Sequence, residues 1–459
     1  MFLSLGIVKK TNLLFIKGRN SSTIHILVSQ SILIFVLLIG DILFARYFEK
    51  ADFGTWKQLN LLIGLVIPLM MLGLPEGFKY YAALEKDKVQ QHLKEVLKLL
   101  TCTFLLMVGI FSFGAVHLLS SLLNNDEIIN FRFMIPLLFM AMALNQIFRN
   151  LMINQKQTST LLYSSGVSLI LGAVLITVNL LVYNYSETIL VWITLPLMLV
   201  ILFVTPILIY IKRYPLSVKG INFKFNHEST KYFKIGLPLY AATFIGVIGR
   251  NLDKALVGAL ANVQQFAVYA VGAFEIPIFS MISASISQSI FPELVRLINS
   301  NKIEDAKELW LKSIQKASYI TYPIILLLMI SAKYLIVFAF TDKYIGAISI
   351  FKIYLLIGLW RNGYYGGLIS ASGKTKWITL YSGISVTGNL ILSFLLYQAY
   401  GLYGVAYGAL ISASIINVLQ LIHEGMLMKW MRCLFLDIKL LILVLLIIVF
   451  FFVDIGIYI

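Results

Sequence analysis

Apolar stretches of about 20 residues, each long enough to cross a bilayer core as a helix, recur along the whole chain between short polar or basic runs. Their hydrophobic positions are continuous, unlike the roughly ten-residue alternating segments of an outer-membrane barrel. In lipid a segment must satisfy its own backbone polar groups, so these stretches are predicted to be spanning helices. They fall near residues 24–45, 58–78, 96–119, 131–153, 160–183, 188–211, 235–260, 266–291, 318–340, 347–370, 376–398, 402–424 and 439–458. The segment Glu293 to Lys316 mixes Glu304, Asp305 and Glu308 with basic residues and Trp310, and is predicted to be an amphipathic cytoplasmic helix.

The polar runs sort by charge. One set carries Lys9, Lys10, Lys17 and Arg19, then Lys79, Lys86, Lys88 and Lys94, then Lys212, Arg213, Lys219, Lys224, Lys231 and Lys234, then Arg296, Lys302, Lys307, Lys312 and Lys316. The other set is poor in charge: Asn124 to Glu127, Glu187, Ala261 to Gln265, and Asp342 with Lys343. Only its first member (Arg46, Lys50, Lys57) is basic, and Glu49 and Asp52 offset it. Positively charged loops stay in the cytoplasm, so the N-terminus is expected there. The opening residues read as a retained cytoplasmic tail rather than a signal peptide.

Composition agrees. Of the 459 residues 59% are hydrophobic and 13% charged, with a mean hydropathy of +0.88, whereas a soluble domain carries about 25% charged residues. A soluble enzyme or secreted domain is excluded. The net charge of +16 matches the positive-inside bias and anionic headgroups, so no nucleic acid partner is expected. Cys102 and Cys433 cannot form a disulfide framework, and His25, His92, His117, His227 and His423 are scattered without ligand spacing. No metal, cofactor or catalytic residue is implied.

The chain also resembles itself at a spacing of about 213 residues. LFARYFEKADFGTW (Leu43 to Trp56) aligns without gaps on LVGALANVQQFAVY (Leu256 to Tyr269), Arg149-Asn150 falls opposite Arg361-Asn362, and LYSSGVS meets LYSGIS. Six helices per half make the halves parallel repeats, with the transport site expected between them. The expected organisation is an N-lobe over 1–219, a C-lobe over 220–433 and one further apolar helix over 434–459.

Charges inside spans are costly unless they face water or a partner. Lys333 and Lys352 lie within snorkelling reach of the outer interface. Arg250, Asp253 and Lys254 stand at i, i+3 and i+4 and share one helical face. Glu275 and Asp41 are expected at similar depth, Arg361 near the middle of its span and Arg149 closer to the cytoplasm. One reading is an internal salt-bridge cluster, pairing Arg250 with Asp253 and Lys254 with Glu275 or Asp41. The other is a cationic cavity for an anionic headgroup, which suits arginine because its planar fork binds phosphate oxygens and stays charged when desolvated.

FARYFEKADFGTWKQLNLL, GLPLYAATFIGVIGRNLDKALVGALANVQQFAVYAV, the Pro292-Glu293 pair and SASGKTKW carry a resemblance to the polysaccharide transporter (Wzx-type O-antigen and oligosaccharide flippase) family of the MOP, MATE-like superfamily, from about Ile24 to Met428. The resemblance implies an all-α polytopic membrane protein of two parallel six-helix lobes in a V-shaped, MATE-like fold. It further implies transfer of an undecaprenyl-pyrophosphate-linked oligosaccharide to the outer leaflet of the bacterial inner membrane, in the company of membrane lipids, a polysaccharide polymerase and export machinery. On that reading Arg250, Lys254, Arg361 and Arg149 engage the pyrophosphate, and Asp41, Asp253 and Glu275 compensate charge or couple a proton or Na⁺. A MATE-type drug or cation antiporter would favour an acidic cavity. A glycan polymerase or transferase would need larger outer loops.

Overall fold

Long runs of Leu, Ile, Val and Phe without internal polar breaks make helix the default backbone, and the computed structural model of the protein is built of helices joined by short turns. It describes residues 20–185, 188–214, 230–363 and 365–458. The tail cations Lys9 to Arg19, Glu187, and Lys219 and Lys224 of the expected linker lie outside the described residues. In chain order the helices are α1 Asn20–Tyr47, α2 Lys50–Met71, α3 Leu74–Leu84, α4 Val89–Ile110, α5 Val116–Leu122, α6 Met134–Asn154, α7 Thr158–Tyr185, α8 Thr188–Arg213 and α9 Thr230–Leu260. They continue with α10 Val263–Gly272, α11 Pro277–Asn299, α12 Ile303–Phe340, α13 Ala347–Gly358, α14 Gly367–Ala371, α15 Thr375–His423, α16 Leu427–Leu436 and α17 Ile438–Tyr458. Nine helices are long and apolar enough to cross a membrane among the described residues. The protein is an all-α, multi-pass membrane protein.

The helices form two compact units, interleaved in sequence. One comprises Met1–Phe48, Leu62–Ser121 and Asp126–Phe244; the other comprises Glu49–Leu61, Leu122–Asn125 and Ile245–Ile459. In the first, α1 packs on α7, α7 on α8, α8 on α6, and α6 on α3 and α4. In the second, α12 packs against α11, α13 and α17, and α13 against α10 and α15. A core at one end of the second unit gathers Leu294, Ala306, Trp310, Ile314, Tyr365 and Leu421.

The segments aligned in the sequence share some local features. Phe53 N–H donates to Glu49 O at 3.0 Å, and 213 positions on, Phe266 N–H donates to Asn262 O at 2.9 Å. Asn262 closes its helix start with a capping box to Gln265, in which the two side-chain oxygens accept the otherwise unpaired backbone N–H groups of Gln265 and Asn262. The aligned pairs Phe44 and Val257, Phe53 and Phe266, and Trp56 and Tyr269 are all buried.

Several spans take forms that continuous apolar patterning does not predict. The expected span 266–291 is two helices, α10 and α11, separated at Ala273 to Ile276. Pro277 has no N–H to donate and holds Ile276 in an extended conformation (φ −73°, ψ 116°). The expected span 347–370 is also interrupted: α13 ends at Gly358, Leu359–Arg361 tighten into a 3₁₀ turn, and α14 starts after Gly366 at φ 87°. The stretch 293–316 is not a separate amphipathic helix. Its first residues finish α11, the chain turns at Asn301 (φ 57°), a side chain that tolerates the left-handed region, and the rest opens α12.

The spans 376–398 and 402–424 are the arms of a tight hairpin within α15. Gly401 adopts φ 57° and ψ −135°, a conformation that side chains with a Cβ rarely reach. Ser393 Oγ donates to Val405 O at 3.2 Å and Ser412 Oγ to Ser385 O at 2.9 Å, so the arms run antiparallel. α17 is 21 residues long, and its apolar stretch Ile438–Phe452 is shorter than the nine long ones. Leu440, Ile447 and Phe451 form its buried stripe. Lys352 does not snorkel: it is 1% exposed and donates to Phe450 O of α17 at 3.0 Å, a second bond on that carbonyl that satisfies the buried ammonium.

Candidate functional site

The two interrupted spans supply the centre of the candidate site. Glu275 lies on the unwound stretch between α10 and α11, and Arg361 ends the 3₁₀ turn after α13. Arg361 donates from Nη1 to Glu275 Oε2 and from Nη2 to Oε1, both at 2.7 Å. This parallel, two-bonded geometry is the strongest form of a carboxylate–guanidinium contact. The side chains remain 30% and 28% exposed. They line a pocket of about 20 Å³ with Phe279 and Tyr354, room for a single water.

Glu275 also borders a larger cavity, about 180 Å³, lined by Lys57, Asn60, Asn251 and Lys254 with Phe266 and Phe274 as apolar walls. Lys254 and Arg250 lie near enough to act electrostatically on Glu275, and Arg250 is exposed. No described carboxylate forms an ion pair with either of these two cations.

Asp253 belongs to the same group, within electrostatic reach of Lys254 and Glu275. It is buried, and accepts a hydrogen bond from the Tyr269 hydroxyl at 3.0 Å. Tyr269 in turn shares a hydrogen bond with the Tyr354 hydroxyl at 3.2 Å. A line of hydroxyls therefore leads from a buried acid to the pocket that holds the Glu275–Arg361 pair.

Of the residues singled out in sequence, the structure brings Arg250, Asp253, Lys254, Glu275 and Arg361 together in one compact unit. The pairing differs from the expected cluster. Glu275 is held by Arg361 rather than Lys254, and Asp253 by Tyr269 rather than Arg250, because the interruptions in two spans let residues 86 positions apart meet. Arg149 and Asp41 belong to the other unit, half-buried on α6 and α1. The neighbours of the two arginines are held differently: Asn150 Nδ2 donates to Pro75 O at 3.2 Å, and the buried Asn362 Nδ2 to Ser318 Oγ at 2.6 Å. Sequence reasoning missed Lys57, Asn60 and Asn251 as cavity residues and Tyr269 and Tyr354 as partners of the acid. Lys57 counted as loop charge, although it lies inside α2, directly after Phe53 to Trp56.

The three cations Arg250, Lys254 and Arg361 outnumber the two carboxylates, so the group carries a positive excess in a partly desolvated setting, where charge interactions exceed their strength in water. Among the described residues no group of three His, Cys, Asp or Glu side chains could hold a metal ion. The arrangement suits reversible capture of an anion in exchange for the Glu275 carboxylate.

Comparison with solved structures identifies the fold. The chain is similar to "Lipid II flippase MurJ, inward closed conformation" at 17% identity and a TM-score of 0.59, covering 95% of this chain and 98% of that one. It is similar to an inward-facing multidrug resistance MATE family transporter of the MOP superfamily at 13% identity and a TM-score of 0.62, covering 90% and 98%. A MOP superfamily transporter from Pyrococcus furiosus, described as having a binding pocket of reversed polarity, matches at 13% identity and a TM-score of 0.50, covering 89% and 94%. No curated protein matches. The fold is therefore that of MOP-superfamily, MATE-like transporters, and a family model described as "Polysaccharide biosynthesis protein" matches residues 43–349, so the chain belongs to the polysaccharide biosynthesis protein family.

Proposed function

We propose that the protein is a flippase that moves an undecaprenyl-pyrophosphate-linked oligosaccharide from the cytoplasmic to the outer leaflet of the bacterial inner membrane, for a surface polysaccharide such as O-antigen. The observation that carries this reading is the cationic excess around one exchangeable carboxylate. Arg361, Lys254 and Arg250 receive the pyrophosphate as Glu275 releases Arg361. Arg149, the repeat partner of Arg361, supplies a further contact in this reading, and Asp41 compensates charge. The polyprenyl tail stays in lipid, and the N-terminus is cytoplasmic. Movement between the repeat-related lobes, 1–219 and 220–433, alternates the access of the site.

The hydroxyl line from Asp253 through Tyr269 to Tyr354 gives a path for a coupling proton. The same buried acid is the observation that favours the second reading, a MATE-type cation antiporter, in which Asp253 takes up a cation or proton in exchange. Arg250→Ala and Arg361→Ala should abolish glycan export while leaving insertion into the membrane intact. Full export by both variants refutes the cationic site, and efflux of cationic dyes that depends on Asp253 supports the antiporter instead.

A further inference from the structure

Away from the ion-pair site, a groove of about 680 Å³ opens between α12, α16 and the start of α17, lined by Leu311, Tyr319, Lys429, Arg432, Asp437 and Lys439. The sequence of α16, LMKWMRCLFL, alternates apolar and basic residues with the helical period expected of a helix lying in a membrane interface. Its position is secured at two places. Met426 enters the buried core with Trp310 and Leu421, and Trp430 stacks on Trp360 with centroids 5.4 Å apart and planes at 17°.

The charges of the groove divide into satisfied and available groups. Asp437 starts α17: its Oδ1 accepts Lys439 N–H at 3.1 Å and Leu440 N–H at 3.4 Å. Its Oδ2 accepts Gln315 Nε2 at 2.9 Å and the Tyr319 hydroxyl. The Tyr319 hydrogen bond holds this carboxyl below the usual carboxylate range, so it remains an anion committed to the helix start. Lys429 pairs with Glu304. Arg432 and Lys439, by contrast, are exposed, and no described carboxylate forms an ion pair with either. Beside them Met428 and Ile438 are 63% and 70% exposed, an apolar surface adjoining two available cations.

We propose that this groove binds the headgroup phosphate of an anionic glycerophospholipid. Arg432 presents its planar fork to the phosphate oxygens, Lys439 adds a point charge, and the acyl chains lie against Met428, Ile438 and the lipid-facing side of α12. Occupancy ties α16 and α17 to α12 at the level of the headgroups, so the last helix is held partly by lipid. The groove is separate from the residues assigned to the transported pyrophosphate.

The test uses the full chain in a neutral detergent, titrated with phosphatidylglycerol or phosphatidylcholine and followed by thermal unfolding. Phosphatidylglycerol should raise the melting temperature and phosphatidylcholine should not. Arg432→Gln combined with Lys439→Gln should weaken the phosphatidylglycerol response about thirtyfold, from the ordinary contribution of each basic residue near an anionic surface. Equal responses to the two lipids, or an unchanged response in the double variant, overturn the proposal. Phosphatidylglycerol carrying a photoreactive headgroup, applied to the unaltered protein, should label peptides 311–319 and 429–439, and labelling elsewhere alone also overturns it. Undecaprenyl pyrophosphate should fail to displace that label, since displacement at stoichiometric concentration would make the groove part of the transport route.

Discussion

Replacing Glu275 and Arg361 singly and together separates what the ion pair does for stability from what it does for export. Each side chain makes two charge-assisted contacts at 2.7 Å. Removing one partner of a buried pair typically costs about 3–5 kcal/mol, because the survivor keeps its charge without compensation. Exposures of 30% and 28% place this pair at the lower end, about 3 kcal/mol. Arg361→Gln should therefore destabilise the detergent-solubilised protein by about that amount, and so should Glu275→Gln, which leaves Arg361 near Lys254 and Arg250 with no acid between them. In the double variant the two amides can hydrogen-bond to each other and no charge is stranded, so most of the stability should return. Export should not return with it, since the guanidinium meant for pyrophosphate is gone. Glu275→Gln should instead bind inorganic pyrophosphate more tightly, because its carboxylate no longer competes for Arg361. Melting curves for the four proteins, with pyrophosphate binding and export of a labelled lipid-linked oligosaccharide into proteoliposomes, read out every term. A stable double variant that exports at the normal rate refutes the argument that Arg361 serves the substrate.

Three further outcomes follow from local structure. Glu424 lies just past the end of α15 and accepts Leu368 N–H at 3.0 Å and Ile369 N–H at 3.2 Å, and burial pushes its carboxyl up to about 7. The folded state thus holds a proton that the unfolded chain releases near 4.5, so this contribution is whole below that pH and is lost as pH rises through about 7, on the order of 3 kcal/mol in all. Glu424→Gln should flatten the decline of melting temperature between pH 5 and 8, and an unchanged slope counts against it. Trp310 is fully buried, and Trp310→Ala should cost about 3–5 kcal/mol, seen as a lowered melting temperature with helix content retained. Gly401→Ala forces a Cβ into the hairpin's backbone conformation and should cost about 1–3 kcal/mol, whereas Gly383→Ala, where a Cβ meets nothing within 4 Å, should be nearly neutral.

The parts of the fold that sequence revealed are those in which local pattern and tertiary role coincide. The first-hairpin resemblance was legible because Phe53 and Phe266, and Trp56 and Tyr269, are buried at aligned positions. The cationic face of Arg250 and Lys254 was legible because helical spacing alone puts them together. The partner of Glu275 was not, because hydropathy treats an interrupted span and a continuous one alike. Pro277 and the glycines near Arg361 marked the interruptions, yet which acid would meet which base depended on contacts between distant segments. Lys352 misled for a related reason: a lysine near a span end ordinarily reaches water, and here the last helix arrives to offer it a carbonyl.

The hairpin at Gly401 bears on how the chain enters its membrane. Its arms exchange hydrogen bonds through Ser393 and Ser412, and Asn389 is buried beside them, its Oδ1 accepting from Ser393. Either arm inserted alone would forgo the bonds from Ser393 to Val405 O and from Ser412 to Ser385 O, although Ser393 would keep Asn389 of its own arm. With almost no chain between the arms, residues 375–423 should enter the lipid as one hairpin, the arms gaining their mutual hydrogen bonds as they pair.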